Sequence, residues 1–229
     1  MTDFPRLRVA GEATLIVYLA GESSPAVVER VQALATRLQT TLGAALVDLV
    51  PSYASLLVAF DARLTDHNAV RRTVRAALEA LPERLTTAGR LVEVPVYYAP
   101  ESGADLEAVG ERSGLGWETV AELHTSIEYH VYAVGFAPGF AYLGDVDERI
   151  AAPRLQTPRT QVPPGAVAIA DRQTAVYPAS SPGGWNLIGR SPLTLFDAAA
   201  EDPAVLRVGD RVRFVAIDRR RFSELGGEL

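Results

Sequence analysis

The chain has 229 residues, 22 Lys and Arg against 28 Asp and Glu, a formal net charge of -6 and no cysteine. The absence of cysteine excludes disulfides, a thiolate nucleophile and Cys-ligated zinc or iron–sulfur centres. The acidic balance argues against nucleic acid as a partner, and the length suits two domains with real cores.

The opening stretch, MTDFPRLRVAGEATLIVYL, has no basic region leading into a long apolar run, so no secretory signal is expected. No run of roughly 18 apolar residues suggests a membrane span. A cytoplasmic location is expected. Residues 13–19 are β-rich and apolar. Ser24-Pro25 then signals a helix start, Ser as cap and Pro in the first turn. Val27, Val31, Leu34, Ala35, Leu38 and Leu42 follow at helical spacing, and Gly43 closes the run. Residues 46–50 and 56–60 are short strands joined around Pro51-Ser52-Tyr53. Asp66 can cap a second helix, with His67 at its start and Val70, Val74, Ala77, Leu78 and Leu81 on one face. Residues 91–98 read as another strand. The order strand–helix–strand–strand–helix–strand suggests a ferredoxin-like split βαβ module. Its boundary is placed at 88–91, giving an N-terminal module of 1–88.

The remainder, 89–229, changes character. Residues 105–114 and 117–124 read as short helices with Asp105 and Gly116 in capping positions. From Tyr129 onward the chain is short β-rich pieces (129–134, 166–169, 175–177, 193–196 and 211–217) broken by Gly and Pro. Dense turns between short strands argue for a barrel or sandwich. His130 reads as strand surface, and Arg219-Arg220-Arg221, beside acidic residues, as a solvated face.

Three segments carry chemistry. The first, GFAPGFAYLG at 135–144, packs three glycines, a proline and three aromatics into ten residues. It is either a tight turn over packed aromatics or a loop whose backbone N–H groups hold an anion or a developing oxyanion. Phe136, Pro138, Gly139 and Tyr142 are its candidate binding residues. The second, at 153–165, sets Arg154 and Arg159 in a proline-stiffened loop. These are ordinary surface arginines or planar forks held ready for a carboxylate or phosphate. The third runs from Gln173 and Tyr177, neutral donors suited to an amide, to Ser181, Gly183, Gly184 and Trp185. The glycines open the backbone there, and Trp185 either walls a pocket or fills a barrel core. His124 ends a helix beside these loops and is either an acid–base group or a packing residue. Walker A, GxGxxG, GxSxG and HExxH patterns are absent, so a self-contained ATPase, dehydrogenase, serine hydrolase or zinc protease is not supported. No metal ligand set is expected.

Taken in order, His124, GFAPGFAYLG, PRLQTPRTQVPPG (153–165), QTAVYP (173–178) and SPGGWNLIGRSP (181–192) resemble one family, that of the 5-oxoprolinase B subunit, KipI and allophanate hydrolase subunit 1. The same unit resembles part of the carboxyltransferase domain of urea carboxylase. The resemblance spans nearly the whole chain. It implies an α+β protein, with the N-terminal module followed by a cyclophilin-like β-barrel. It also implies a KipA-like C subunit as partner, with a lamB/YcsF-type A subunit completing an ATP-dependent enzyme that opens 5-oxoproline to glutamate. His124, Arg154, Arg159, Gln173 and Tyr177 are the catalytic candidates. Two alternatives remain: a biotin-dependent, allophanate-processing half of a urea-degrading system, with biotin carried on another chain, and a KipI-type inhibitor of a histidine kinase.

Overall fold

The computed structural model describes residues 4–82 and 89–229. It divides into two compact units, Met1–Ala88 and Gly89–Leu229. The expected boundary reaches Ala88, which lies outside the described residues.

The first unit runs β1 (Arg6–Gly11), β2 (Thr14–Tyr18), α1 (Pro25–Leu42), β3 (Leu46–Ser52), β4 (Ser55–Phe60) and α2 (His67–Glu79). Its strands form an antiparallel sheet in the order β1-β2-β4-β3. Both helix starts expected from the sequence are in place. The Ser24 hydroxyl accepts from the Val27 N–H at 3.3 Å with Pro25 in the first turn, and Asp66 accepts from the N–H groups of Asn68 and Ala69, each at 2.8 Å. Leu15, Val17, Leu56, Val58 and Phe60 alternate along their strands, so one sheet face buries them against Val31, Leu34, Leu38, Val70 and Val74 of the helices. Two features differ from the sequence reading. Strand β1 is added at the sheet edge, and the strand at 91–98, counted in the ferredoxin-like order, pairs within the second unit as the 88–91 boundary has it.

The second unit contains β5 (Leu91–Tyr97), α3 (Leu106–Ser113), α4 (Trp117–Thr125), β6 (Glu128–Val134), β7 (Ala141–Gly144), β8 (Arg159–Val162), β9 (Ala166–Ala170), β10 (Gln173–Val176), β11 (Ser181–Gly183), β12 (Asn186–Arg190), β13 (Arg211–Ile217) and α5 (Arg219–Glu224). Seven strands close into a barrel, β6-β13-β5-β12-β9-β10-β7, with β7 pairing back onto β6. The β5–β13 pair is parallel, Leu91 facing Arg211 through Tyr97 facing Ile217. That pairing joins the two ends of the unit, which is why residues 91–98 serve the barrel. Strands β8 and β11 form a separate two-stranded ribbon. The strand expected at 193–196 is reduced to one bridge, Phe196 with Ala204. Among the described residues no helix is long and apolar enough to cross a membrane.

Side-chain alternation in the barrel creates the site. On β9, Val167 and Ile169 join the large core, which also holds Leu143, Val176 and Ile188. The intervening Ala166, Ala168 and Ala170 face the other way, with Ala175 of β10. Large residues therefore fill one face and methyl groups pave the other. Phe140, Tyr177 and Trp185 occupy the space left over those alanines.

Candidate functional site

The pocket grows from that aromatic layer. Phe140 packs edge-on against Tyr177, Trp185 and Tyr142, with ring centroids at 5.3, 5.7 and 5.0 Å. The turn before it is tight: the Phe140 N–H donates to the Ala137 carbonyl and the Gly135 N–H to the Phe140 carbonyl, each at 3.0 Å. Gly139 makes this turn with φ +81, and a Cβ there would stand 2.7 Å from the Phe196 Cβ. Only glycine meets both demands. Phe136 also has positive φ, +73, and the residue is 63% exposed. A bulky residue in that conformation is strained, and its ring is held only by edge contacts with Phe140 and Tyr177.

Arg154 is set from both sides. The Pro153 carbonyl accepts from Asn186 Nδ2 at 2.9 Å, and the Leu155 N–H donates to the Gly184 carbonyl at 2.7 Å. Its guanidinium lies over the Trp185 ring, 5.8 Å from the centroid, and makes no ion pair among the described residues. The result is a pocket of about 180 Å³. Its lining includes Phe136, Tyr142, Arg154, Tyr177, Gly183 and Gly184, with Trp185 as a wall. Arg154 is its one charged lining residue. An anionic ligand with a flat apolar body fits this combination of unpaired guanidinium and aromatic walls.

The remaining candidates stand around the pocket. Arg159 is ion-paired with Asp105 at 2.7 Å and sits opposite Gly183 in the β8–β11 ribbon. A Cβ on Gly183 would collide with the Tyr177 hydroxyl oxygen. Burial raises the Tyr177 pKa, while the nearby Trp185 backbone and the charges of Arg154 and Arg159 pull it back down. Ser181 pairs with Val162 in the ribbon, Gln173 pairs with Gly144 and Ala170 in the barrel, and Pro138 is exposed at the turn; none of the three lines the pocket. Gly139 likewise shapes the turn from behind.

His124 corrects the acid–base expectation. It is wholly buried, and both ring nitrogens are engaged: Nδ1 with the Tyr98 hydroxyl at 2.7 Å and Nε2 with Thr174 Oγ1 at 2.8 Å. Thr174 spends its proton on the Ala168 carbonyl, so the network assigns Nε2–H as donor to Thr174 and Nδ1 as acceptor from Tyr98. Burial drives the imidazole pKa down to about 3. It is a neutral core residue and does not line the pocket. Its spacing already hinted at this, because Val120, Ala121 and His124 share the buried face of α4. The sequence reading missed Phe140, Leu155, Pro158 and Pro182 in the lining, and Asp105 behind it. The first four lie inside the singled-out motifs; Asp105 was read only as a helix cap.

The second unit is a seven-stranded barrel carrying a loop-built arginine pocket. Residues 5–206 match the model of the carboxyltransferase domain, subdomain C and D, and the chain belongs to that family. Curated relatives carry a more particular name. The chain is 38% identical over 232 residues to the 5-oxoprolinase B subunit of Bacillus subtilis, covering 97% of each. It is 49% identical over 133 residues to the protein of that name from Escherichia coli O157:H7, covering 58% of this chain and 61% of the relative. Among solved structures, TTHA0988 superposes with a TM-score of 0.80 at 38% identity, over 93% of this chain and 40% of that longer chain. The Kluyveromyces lactis urea carboxylase shares the fold, with a TM-score of 0.73 at 16% identity over 98% of this chain and 23% of that one.

Proposed function

We propose that the chain is the B subunit of an ATP-dependent 5-oxoprolinase, working with a KipA-like C subunit and a lamB/YcsF-type A subunit to open 5-oxo-L-proline to L-glutamate. The observation that carries this reading is the pocket over the alanine face: a largely apolar, aromatic-walled pocket with one unpaired guanidinium, in a chain whose relatives bear that name. 5-Oxoproline is a small five-membered lactam bearing a carboxylate, and it suits the pocket's aromatic lining and its single guanidinium.

A lactam is a poor electrophile because its nitrogen donates into the carbonyl. Its activation places negative charge on the carbonyl oxygen. Arg154 stands where it can hold the carboxylate or that developing charge, and Tyr177 can donate a proton in hydrogen bonding. Gly183 and Gly184 keep side chains out, so the ligand can approach the backbone. In this reading ATP is held chiefly by other parts of the complex, and this chain orients the lactam.

Co-expression with the partner subunits and an assay of ATP-dependent glutamate formation tests the proposal. Activity is expected only with this chain present, falling by about 10²–10³ in Arg154→Ala. Full activity of Arg154→Ala removes the assigned site. A requirement for biotin would move the reading to the urea-degrading alternative.

A further inference from the structure

Asp105 occupies the N-cap position of α3, yet its side chain makes no capping bond. A capping aspartate stabilises its helix by about 1 kcal/mol, and Asp105 gives this up. Its carboxylate is committed elsewhere: Oδ1 accepts from Arg159 Nη2 and Oδ2 from the Leu187 N–H, each at 2.7 Å. The Asp105 N–H donates in turn to the Leu187 carbonyl at 2.8 Å. Leu187 lies on β12, two residues beyond Trp185, so Asp105 is riveted to the strand that leaves the pocket.

Arg159 is held from one side only. Its Nη1 is buried and has no hydrogen-bond partner among the described residues. Side-chain exposures of 28% for Arg159 and 13% for Asp105 make this the most enclosed ion pair of the pocket region, little screened by solvent. Across the ribbon from Arg159 is Gly183, whose missing side chain leaves room for the Tyr177 hydroxyl. Tyr177 lines the pocket, and its hydroxyl proton can be donated into it.

We propose that Asp105 is a positioning residue for the pocket: its carboxylate, withdrawn from the helix it precedes, holds Arg159 so that the guanidinium supports the Tyr177 hydroxyl as a hydrogen-bond donor to the bound ligand. A cation beside a hydroxyl strengthens it as a donor, and the benefit depends on the cation staying in place. Asp105 therefore acts on the ligand through Arg159 and Tyr177, and touches neither ligand nor reacting atoms. This inference rests on the pocket being the lactam site.

The test is a double-mutant comparison in the reconstituted complex. Asp105→Asn keeps the shape of the side chain and an oxygen for the Leu187 N–H, but removes the charge that holds Arg159. Expected is a loss of about tenfold in kcat with KM for 5-oxoproline within about twofold, shrinking to about twofold in kcat when Tyr177→Phe is already present. An equal loss in both backgrounds, or a change in KM alone, overturns the proposal. If Asp105→Asn does not fold, Arg159→Gln, which removes the cation, takes its place with the same expectations. A wild-type complex that forms no glutamate refutes the proposed function rather than this inference. In that case the 13Cζ resonance of Tyr177 in the full chain decides, identified as the one missing from Tyr177→Phe. It is expected to shift in Asp105→Asn while the Tyr18 resonance stays in place; an unmoved Tyr177 resonance overturns the inference.

Discussion

Replacing His124 by Gln should remove a specific pH dependence of stability. The imidazole is neutral in the folded chain because burial lowers its pKa from 6.5 to about 3. In the unfolded chain it titrates at its ordinary value. As pH falls through 6.5, the unfolded state gains a proton that the folded state refuses, so stability drops until the folded imidazole also protonates near pH 3. The slope approaches about 1.4 kcal/mol per pH unit below 6.5, which amounts to about 2 kcal/mol between pH 7 and pH 5. For a chain of this size that is a fall in Tm of roughly 4–8 °C. The paired carboxylates do not interfere in this window. Those of Glu128 and Asp147 are held below their ordinary values of 4.5 and 3.8 by hydrogen bonds from Arg213 and Arg149, and their contribution is lost only at lower pH. Urea denaturation followed by circular dichroism at pH 7 and pH 5 measures the effect. Wild type should lose about 2 kcal/mol between the two, and His124→Gln, though less stable at both, should lose less than about 0.5 kcal/mol. A wild-type stability that does not change, or an undiminished loss in the variant, would refute the buried neutral imidazole.

Two further substitutions probe the pocket. Gly183→Ala drives a methyl group into the Tyr177 hydroxyl; it should cost about 1–3 kcal/mol of stability and at least tenfold in kcat, measured by thermal melting and by glutamate formation. Phe136→Gly relieves a strained φ of +73 at an exposed residue, so stability should stay within about 1 kcal/mol of wild type while KM for 5-oxoproline rises, checked in the same two assays.

Local signals were legible wherever the physics is local. Ser24-Pro25 and Asp66 start their helices as their chemistry dictates, because a cap needs only its own next three residues. The glycine and proline motifs led to the pocket, since those residues act on the backbone at their own positions. What the sequence did not reveal depends on partners far away in the chain. Strand β5 was counted in the ferredoxin-like order, although the boundary at 88–91 left it in the second unit, because nothing near Leu91 announces its parallel pairing with Arg211. Asp105 read as a cap, since its true partners, Arg159 and Leu187, are distant in sequence. His124 drew attention as a titratable group, although its place on the buried stripe of α4 was already visible in the spacing of Val120, Ala121 and His124.

The chain's two tryptophans allow a direct test of the site itself. Trp185 walls the pocket, whereas Trp117 packs on α4 against the large barrel core. With 5-fluorotryptophan in both positions, 19F spectra of the assembled complex can be followed as 5-oxoproline is added. The Trp185 resonance should move saturably, the Trp117 resonance should stay in place, and Arg154→Ala should abolish the movement. A Trp185 resonance that stays fixed while the complex turns over substrate would contradict the placement of the lactam in this pocket.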